Sequence, residues 1–251
     1  MEKLTSRKNP IVRHFRLLGS EREYRMQTGE FLCDGQKMLE EAIQFGATIT
    51  AVIRKGPANA GSLSCPEFGA SPELYDYVSP LKNSPGPLFS VKIPEPKLCG
   101  FHNALVLADV QDPGNVGTAI RTANAFGIDA VILTGNCADL YNPKTVRATM
   151  GAIFRQRVFR TDTGELQTLL RSNGLKLYGA ALHRTSVDVR SISLADTAVA
   201  IGSEGKGLSE EMLKLCDGLV VIPMMPESES LNAAQAATVL MWEMARGGLQ
   251  P

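Results

Sequence analysis

The segment DVQDPGNVGTAIRTANAFG, residues 109–127, joins a polar turn to a helix predicted at about residues 116–126, which carries Arg121. It continues the apolar run ALVLADV, which begins at Ala104. A near-continuous apolar run is typical of a strand that is buried on both faces of a parallel sheet. Ligands of open α/β sheets bind outside the carboxyl ends of the strands. The turn and the arginine are therefore predicted to lie at a ligand-binding edge.

Strands and helices alternate regularly from residue 104 to residue 251. Gly127 is predicted to end the first helix, since glycine readily takes the left-handed conformation that follows many helices. Regular alternation predicts an α/β domain with a mostly parallel sheet, here in three layers. Further strands are predicted at DAVILT, LKLYGAAL, TAVAIG and GLVVIP, and further helices at PKTVRATMGAIF, GELQTLLRSN, SEEMLKLC and NAAQAATVLMWEMAR.

Residues 1–95 predict a second, smaller α/β domain. The stretch GEFLCDGQKMLEEAI, residues 29–43, changes from a strand pattern to an amphipathic helix pattern after Gly35. TITAVIRK and LFSVKI are predicted to be strands, and ELYDYV a short helix. The stretch PEPKLCGFHN contains two prolines and has little periodicity, which indicates a linker at residues 96–103.

The 251-residue chain has 26 basic and 26 acidic residues, yet two of its segments are strongly basic. Residues 1–25 hold seven basic and three acidic residues, and residues 142–160 hold five basic residues and no acidic one. Each run alone is typical of a solvated face. Two such runs in a neutral chain favour a polyanionic partner such as RNA. The candidate RNA contacts are Arg7, Lys8, Arg13, Lys144, Arg147 and Arg155.

Neither metal binding nor membrane insertion has a signal in the sequence. The five cysteines form no C-x-x-C pair, and the three histidines lie far apart, so no zinc-site spacing exists. The first residues are charged and lack the apolar region of a signal peptide. No apolar stretch approaches the roughly 18 residues of a membrane helix. We therefore expect a reduced, cytoplasmic protein that needs no metal.

Three predicted strands end in loops of unusual composition, DPGNVGTAIR, GSEGKGLS and IPMMPESESLN. No strand is followed by the G-x-G-x-x-G of dinucleotide sites, and the G-x-x-x-x-G-K-[ST] of phosphate loops is missing. Glu204 in the second loop disfavours a phosphate by like charge. The glycines of that loop, Gly202, Gly205 and Gly207, indicate close approach of the backbone to a ligand or positive φ angles. An adenosine that carries a cationic sulfonium suits Glu204 better than a triphosphate does.

The three segments together resemble the three motifs of the SpoU/TrmH-type RNA 2′-O-ribose methyltransferases, within the knotted methyltransferase superfamily. DVQDPGNVGTAIRTANAFG resembles the first motif, AIGSEGKGLS the second and VVIPMMPESESLNAAQAA the third. The resemblance covers about residues 104–246. Residues 1–95 resemble the substrate-binding domain of one branch of that family, a module related in fold to small RNA-binding ribosomal proteins. The chain departs from the family's pattern after SLN, where Ala233, Ala234 and Gln235 stand.

The resemblance implies a deep trefoil knot in the C-terminal domain, S-adenosyl-L-methionine as the cofactor, and a homodimer. By position, it implies that Gly202, Ile222 and Leu231 bind the cofactor. Considered as residues alone, Gly202 also fits a plain strand-to-loop glycine, and the other two fit an ordinary core. The alanine-rich last helix is compatible with a dimer interface and with burial inside the knot.

The resemblance also implies that Arg121 activates the ribose 2′-hydroxyl. Because arginine stays protonated in proteins, a bidentate grip on an RNA phosphate beside the polarised hydroxyl suits it better than the role of a base. Asn115 is predicted either to cap its helix or to orient Arg121. Glu204 is either a turn residue or a partner of Arg121. Ser230 and Asn232 either belong to the catalytic site, as the resemblance implies, or cap the last helix.

The implied function is methyl transfer from S-adenosyl-L-methionine to a ribose 2′-hydroxyl of RNA. Ribosomal RNA is the substrate that the N-terminal module and the short C-terminal tail favour. Methylation of transfer RNA and an antibiotic-resistance methylation of ribosomal RNA are alternatives within this class. A catalytically silent RNA-binding protein that retains the fold is the alternative from another class.

Overall fold

The computed structural model describes residues 2–57, 63–82, 84, 86–95, 98–225, 227 and 230–248. The chain forms two compact units, of which the first comprises Met1–Glu95 and Asp139–Phe154 and the second comprises Pro96–Ala138 and Arg155–Pro251. The placement of two segments in these units therefore differs from the sequence prediction. Residues 139–154 belong to the first unit, and the predicted linker at 96–103 belongs to the second.

Apolar packing accounts for both differences. In the first unit, the ring centroid of Phe31 lies 4.8 Å from that of Tyr141 and 6.4 Å from that of Phe154. In the second unit, Phe101 is 1% exposed and belongs to the apolar core. Segments whose large side chains are buried in this way are parts of a domain, because removing them would expose apolar surface to water.

Twelve strands and nine α-helices form among the described residues, together with two short 3₁₀ turns at Ala152–Phe154 and Val189–Ser191. The strands are β1 (Glu2–Leu4), β2 (Glu30–Asp34), β3 (Ile49–Lys55), β4 (Glu67–Ala70), β5 (Leu88–Lys92), β6 (Ala104–Ala108), β7 (Ala130–Thr134), β8 (Arg157–Arg160), β9 (Leu177–Ala180), β10 (Val187–Asp188), β11 (Ala198–Ile201) and β12 (Gly218–Val221). The helices are α1 (Pro10–Ser20), α2 (Arg22–Thr28), α3 (Gln36–Gln44), α4 (Pro72–Val78), α5 (Pro113–Ala125), α6 (Pro143–Ala148), α7 (Thr163–Ser172), α8 (Glu210–Leu215) and α9 (Ala233–Ala245).

The first unit contains a five-stranded sheet in the order β1-β4-β3-β5-β2. β1, β4 and β3 pair in parallel, whereas β5 is antiparallel to both β3 and β2. Helix α1 begins after Asn9, whose side chain accepts a hydrogen bond from the Ile11 amide. Its apolar face, Val12, Phe15 and Leu18, packs in one core with residues of β2, β3 and β4. The helices α1 and α2 and the strands β1 and β4 were not among the predicted elements.

The second unit contains a seven-stranded sheet in the order β10-β12-β9-β11-β6-β7-β8, and every neighbouring pair is parallel. The predicted α/β fold with a mostly parallel sheet is confirmed here. Every residue of β6 and β7 is buried, as a strand that is covered on both faces requires. All five predicted strands of this region form, and β8 and β10 are additional.

Helix α5 begins about one turn earlier than predicted. Asp112 is its N-cap, and the Asp112 carboxylate accepts a hydrogen bond of 2.8 Å from the Asn115 amide. Pro113 favours this start because its fixed φ angle suits the first helical position, where its missing N–H is not needed. The alternative that Asn115 caps this helix is therefore wrong.

The helix predicted across PKTVRATMGAIF is interrupted. α6 ends at Ala148, and Met150 and Gly151 then take positive φ angles of 50° and 93°. Left-handed backbone angles cannot continue a right-handed helix. The chain therefore turns at this point, before the 3₁₀ turn Ala152–Phe154.

All five cysteines are free thiols. No group of three or more His, Cys, Asp or Glu side chains in the described ranges could hold a metal ion. Within the same ranges, no helix combines the length and the apolar character that a membrane crossing requires.

Candidate active site

The loops that follow β6, β11 and β12 meet at the carboxyl edge of the second sheet, and Asn115 joins them. The Nδ2 atom of Asn115 donates a hydrogen bond to Glu204 Oε1, and its Oδ1 atom accepts one of 3.0 Å from Asn232 Nδ2. Glu204 lies 89 positions and Asn232 lies 117 positions from Asn115 in the sequence. Only folding can bring these side chains together. We call these three residues the Asn115 group.

Two members of the Asn115 group resolve alternatives that the sequence left open. Asn232 also caps α9, since its Oδ1 atom accepts hydrogen bonds from the amides of Ala234 and Gln235. Its capping role and its place in the site are thus compatible. Glu204 bonds to Asn115, and no hydrogen bond or ion pair joins it to Arg121 in the described part of the chain. The predicted pairing of Glu204 with Arg121 is therefore wrong within this chain.

Gly202 permits a close contact between two backbone segments of the second loop. The Gly207 amide donates a hydrogen bond of 2.8 Å to the Ser203 carbonyl oxygen. A Cβ atom on Gly202 would lie 2.0 Å from the carbonyl carbon of Gly207. Gly207 itself has a φ angle of +66°, whereas Gly205 has open space around it and no positive φ. The predicted positive φ is confirmed at Gly207, and the close approach at Gly202 is to the chain's own backbone. Close approach of Gly205 to a ligand stays a prediction.

A cavity of about 420 Å³ lies beside these loops. Gly202, Ile222 and Leu231, the three residues that were predicted to bind the cofactor, all line it. Ser230, from the same loop as Leu231, lines it as well. Two of the predicted catalytic residues, Glu204 and Ser230, therefore line the same cavity as all three predicted cofactor contacts.

One wall of the cavity was missed by the sequence analysis. Residues 180–183, at the end of β9 and in the loop that follows it, line the cavity although they belong to none of the three motifs. The signal that could have identified them is position, because LKLYGAAL was predicted as a parallel strand and its carboxyl end meets the same edge of the sheet.

The residues of the cavity fit S-adenosylmethionine. Its volume falls in the roughly 300–1,000 Å³ range of small-molecule sites. Apolar side chains, among them Leu208 and Val220, line the cavity and suit an adenine ring. Two charged residues, Glu204 and Lys206, also line the cavity, and the acidic one suits a cationic sulfonium.

Arg121 lies on the exposed face of α5, and none of the hydrogen bonds of the Asn115 group involves it. Its guanidinium makes no hydrogen bond or ion pair with any residue that the structure describes. A guanidinium has five N–H donors in a planar fork. A permanent positive charge on the exposed face of α5 is therefore available to a ligand or a partner.

The helix that carries Arg121 packs against α9, and this helix pair has an exposed apolar surface. On α9, Val239 is 36% exposed and Trp242 is 48% exposed. The ring centroid of Phe126, at the end of α5, lies 5.7 Å from that of Trp242. Large exposed apolar side chains that cluster in this way are typical of interaction surfaces. We call Phe126, Val239 and Trp242 the α5–α9 apolar surface.

The predicted RNA contacts are divided between the two units. Arg7, Lys8 and Arg13 are exposed in the first unit, and so are Lys144 and Arg147, which were predicted to belong to the second domain. The remaining arginines of that basic run lie in the second unit and bond to protein atoms. Arg155 donates to Asn124 Oδ1, Arg157 to the carbonyls of Cys99 and Gly100, and Arg160 to those of Gly135, Cys137 and Ala138.

A family model and whole-length relatives match this chain. The model of the SpoU rRNA Methylase family matches residues 102–242. The chain is 30% identical over 249 residues to the 23S rRNA (guanosine(2553)-2′-O)-methyltransferase RlmP of Bacillus subtilis, covering 97% of this chain and 99% of the relative. It is 29% identical over 265 residues to the 23S rRNA (uridine(2479)-2′-O)-methyltransferase of Streptomyces viridochromogenes, covering 97% and 92%.

Solved structures resemble it over the same length. The AdoMet-bound rRNA methyltransferase of Sinorhizobium meliloti superposes with a TM-score of 0.88 at 27% identity, covering 99% of both chains. The SpoU methyltransferase AviRb of Streptomyces viridochromogenes in complex with AdoMet superposes with a TM-score of 0.87 at 26% identity, covering 96% of this chain and 98% of AviRb. The similarity therefore extends over both units.

Proposed function

The chain belongs to the SpoU rRNA Methylase family and is an S-adenosylmethionine-dependent methyltransferase, and we propose that it methylates a ribose 2′-hydroxyl of ribosomal RNA. The observation that carries this proposal is the convergence of Asn115, Glu204 and Asn232, one from each of the three motifs, beside a cavity that fits the cofactor. Two whole-length relatives are named as 2′-O-methyltransferases of 23S ribosomal RNA, which supports the substrate class.

Gly202, Ile222 and Leu231 are the proposed cofactor contacts, because all three line the cavity. The bound cofactor supplies a methyl group on a sulfonium. Glu204 lines the cavity, and its carboxylate is proposed to attract the sulfonium. Its hydrogen bond from Asn115 limits the conformations that this carboxylate adopts.

Arg121 is the proposed catalytic residue that meets the RNA. Its fork can hold a phosphate of the target nucleotide with two N–H donors and can polarise the neighbouring 2′-hydroxyl. The free guanidinium of Arg121 supports this role, since no described residue competes for its donors. The Asn115 group, together with Ser230, is proposed to orient the substrate at the cavity. Orientation of two reactants alone can contribute about 7–11 kcal/mol to a reaction, so few titratable groups are needed.

We further propose that the enzyme is a homodimer that associates through the α5–α9 apolar surface. A charge placed in such an interface is desolvated without a partner, so Trp242→Glu should convert the protein from a dimer to a monomer. Sedimentation equilibrium measures this directly. Ser172→Glu, which adds the same charge to the exposed face of α7, should leave the dimer intact. A wild-type protein that sediments as a monomer contradicts the proposal.

The C-terminal chain is proposed to form the trefoil knot that is implied by the resemblance. The strand order supports this, because β9 lies between β11 and β12 although it precedes both in the sequence. The test is an experimental structure of the protein. If its backbone path straightens into an unknotted line when the two ends are pulled apart, the proposed knot is wrong.

RNA capture is assigned to the exposed basic residues Arg7, Lys8, Arg13, Lys144 and Arg147, with Arg155 in the second unit. Contacts of this type supply affinity and position the RNA, whereas contacts to bases supply sequence choice. A protein that acts on ribosomal RNA works where that RNA is assembled and used, so we also propose a cytoplasmic location.

Methyl transfer to purified RNA tests the proposed function. Tritiated S-adenosylmethionine, the purified protein and deproteinised ribosomal RNA from a strain that lacks the gene should yield labelled RNA, and mapping of ribose methylation should locate one new 2′-O-methyl group. Label in transfer RNA but not in ribosomal RNA would support the alternative substrate. Absence of label in every RNA, with the cofactor bound, would contradict the proposal.

A further inference from the structure

The exposed side of α1 carries only positive charge. Residues 3–20 contain five basic residues and no acidic one. Arg13 and Arg16 lie on the exposed face of α1, and Arg7 and Lys8 lie exposed in the turn before it. None of these four side chains forms an ion pair with another residue in the described ranges. The charge on this face of the first unit is therefore not neutralised by the chain itself.

Two of these arginines lie over one aromatic ring. Arg7 Cζ is 4.3 Å and Arg16 Cζ is 4.2 Å from the ring centroid of Tyr77, which is half-buried at the end of α4. Arg16 Nη1 also donates a hydrogen bond to the Tyr77 carbonyl oxygen. Both distances are well within the roughly 6 Å limit of a cation–π contact. We call Arg7, Arg16 and Tyr77 the arginine clamp.

The arginine clamp holds two like charges close together. Because both guanidiniums lie over the same ring, they are closer to each other than the Debye length of about 10 Å at 0.1 M salt, and they repel each other. An anion with several charges relieves this repulsion. A guanidinium that rests on an aromatic face keeps in-plane N–H donors for a bidentate phosphate contact, and its side-chain freedom is already reduced before binding.

We propose that the arginine clamp is a binding site for the sugar-phosphate backbone of the RNA substrate, with Tyr77 as the residue that holds the two guanidiniums ready. The inference deepens the proposed function and rests on it, since it requires an RNA substrate. It assigns RNA contact to Arg16 and a positioning role to Tyr77, neither of which the basic runs alone single out. The Tyr77 ring, which is already covered by cations, is not itself a platform for a base.

Salt dependence of RNA binding tests the clamp. The probe is deproteinised 23S ribosomal RNA, and the full-length protein is titrated by filter binding at several KCl concentrations. Arg7→Ala and Arg16→Ala should each reduce the slope of log K against log salt by about 0.7–0.9 and weaken binding about five- to eight-fold at 0.1 M salt, because each removes one phosphate contact. Lys37→Ala, which removes one exposed charge from α3 of the same unit, should change neither value.

Substitutions of Tyr77 separate positioning from charge. Tyr77→Leu keeps both arginines and removes the ring, so binding should weaken several-fold while the slope changes less than in either arginine variant. Tyr77→Phe keeps the ring and should bind like the wild type. Thermal unfolding of each variant verifies that the half-buried position is tolerated, and cofactor binding should be unchanged in all of them.

The inference is overturned if the slope of log K against log salt is the same for Arg7→Ala and Arg16→Ala as for Lys37→Ala. It is also overturned if the two arginine variants keep the wild-type slope for RNA but lose binding of polyglutamate that the wild type shows, because the clamp would then bind an acidic protein. In both cases the wild-type protein can still methylate RNA, so the proposed function would stand. Failure of the wild type to methylate any RNA would instead contradict the proposed function, whatever the slopes show.

Discussion

Arg121→Ala is expected to lower the rate of methyl transfer by about 10²- to 10³-fold, the loss that follows removal of one donor that stabilises a transition state. Its Kd for S-adenosylmethionine should stay at the wild-type value, because the guanidinium bonds to no described residue and Arg121 is absent from the cavity lining. Single-turnover kinetics on ribosomal RNA and calorimetry with the cofactor measure the two quantities separately.

Two further variants make the Arg121 result specific. Arg121→Lys keeps the charge and loses the planar fork, so it should recover only part of the rate. Arg171→Ala removes an exposed arginine from α7 of the same unit and should behave like the wild type. Near-normal turnover of Arg121→Ala would show that the catalytic assignment is wrong. A parallel loss of cofactor affinity would show that the residue acts on the fold of the site.

Gly202→Ala is expected to cost stability and cofactor binding together. The added Cβ would lie 2.0 Å from the carbonyl carbon and 2.1 Å from the carbonyl oxygen of Gly207, and backbone atoms cannot rotate out of the way as a side chain can. Overpacking usually costs about 1–3 kcal/mol, and a backbone overlap of this size belongs at or above the upper end. The loop is expected to relieve the overlap by leaving its binding conformation, and restoring that conformation at about 3 kcal/mol would weaken the Kd for the cofactor about 100-fold.

Gly205→Ala is the matched control for Gly202→Ala. It adds the same methyl group to the same loop, where nothing lies within 4 Å of the new atom and φ is not positive. Urea unfolding should give the wild-type free energy of unfolding for Gly205→Ala and a lower one for Gly202→Ala. Calorimetry should give the wild-type Kd for the cofactor for Gly205→Ala and a weaker one for Gly202→Ala. Equal behaviour of the two variants would mean that the contact between Gly202 and Gly207 does not form in solution.

The alternation of strands and helices after residue 104 was predictable because each element carries its own signal. β6 and β7 are continuous apolar runs, and every residue in them is buried. The three motif loops were predictable for a related reason, since parallel strands place their carboxyl ends at one edge. The loop after β9 obeys the same rule and was missed, because its residues carry no unusual chemistry.

The domain boundary at residues 139–154 could not be read from the sequence. Tyr141, Val146 and Phe154 have the same apolar character whichever core they join, and here they join the core of the first unit. The start of α5 was predicted wrongly for a local reason. Asp112 and Asn115 are both good capping residues, and Pro113 decides between them by favouring the first helical position.

Local chemistry alone predicted the parallel strands of the second unit and the loops that carry its polar residues. The family resemblance added Gly202, Ile222 and Leu231, which line the cavity. Only the tertiary structure decided which side chains contact each other. Glu204 bonds to Asn115 and leaves Arg121 free, and Arg7 meets Arg16 over a tyrosine from another helix. The physical reason is distance along the chain. A hydrogen bond between residues 89 positions apart depends on how whole strands are ordered in the sheet, and no local pattern of residues encodes that order.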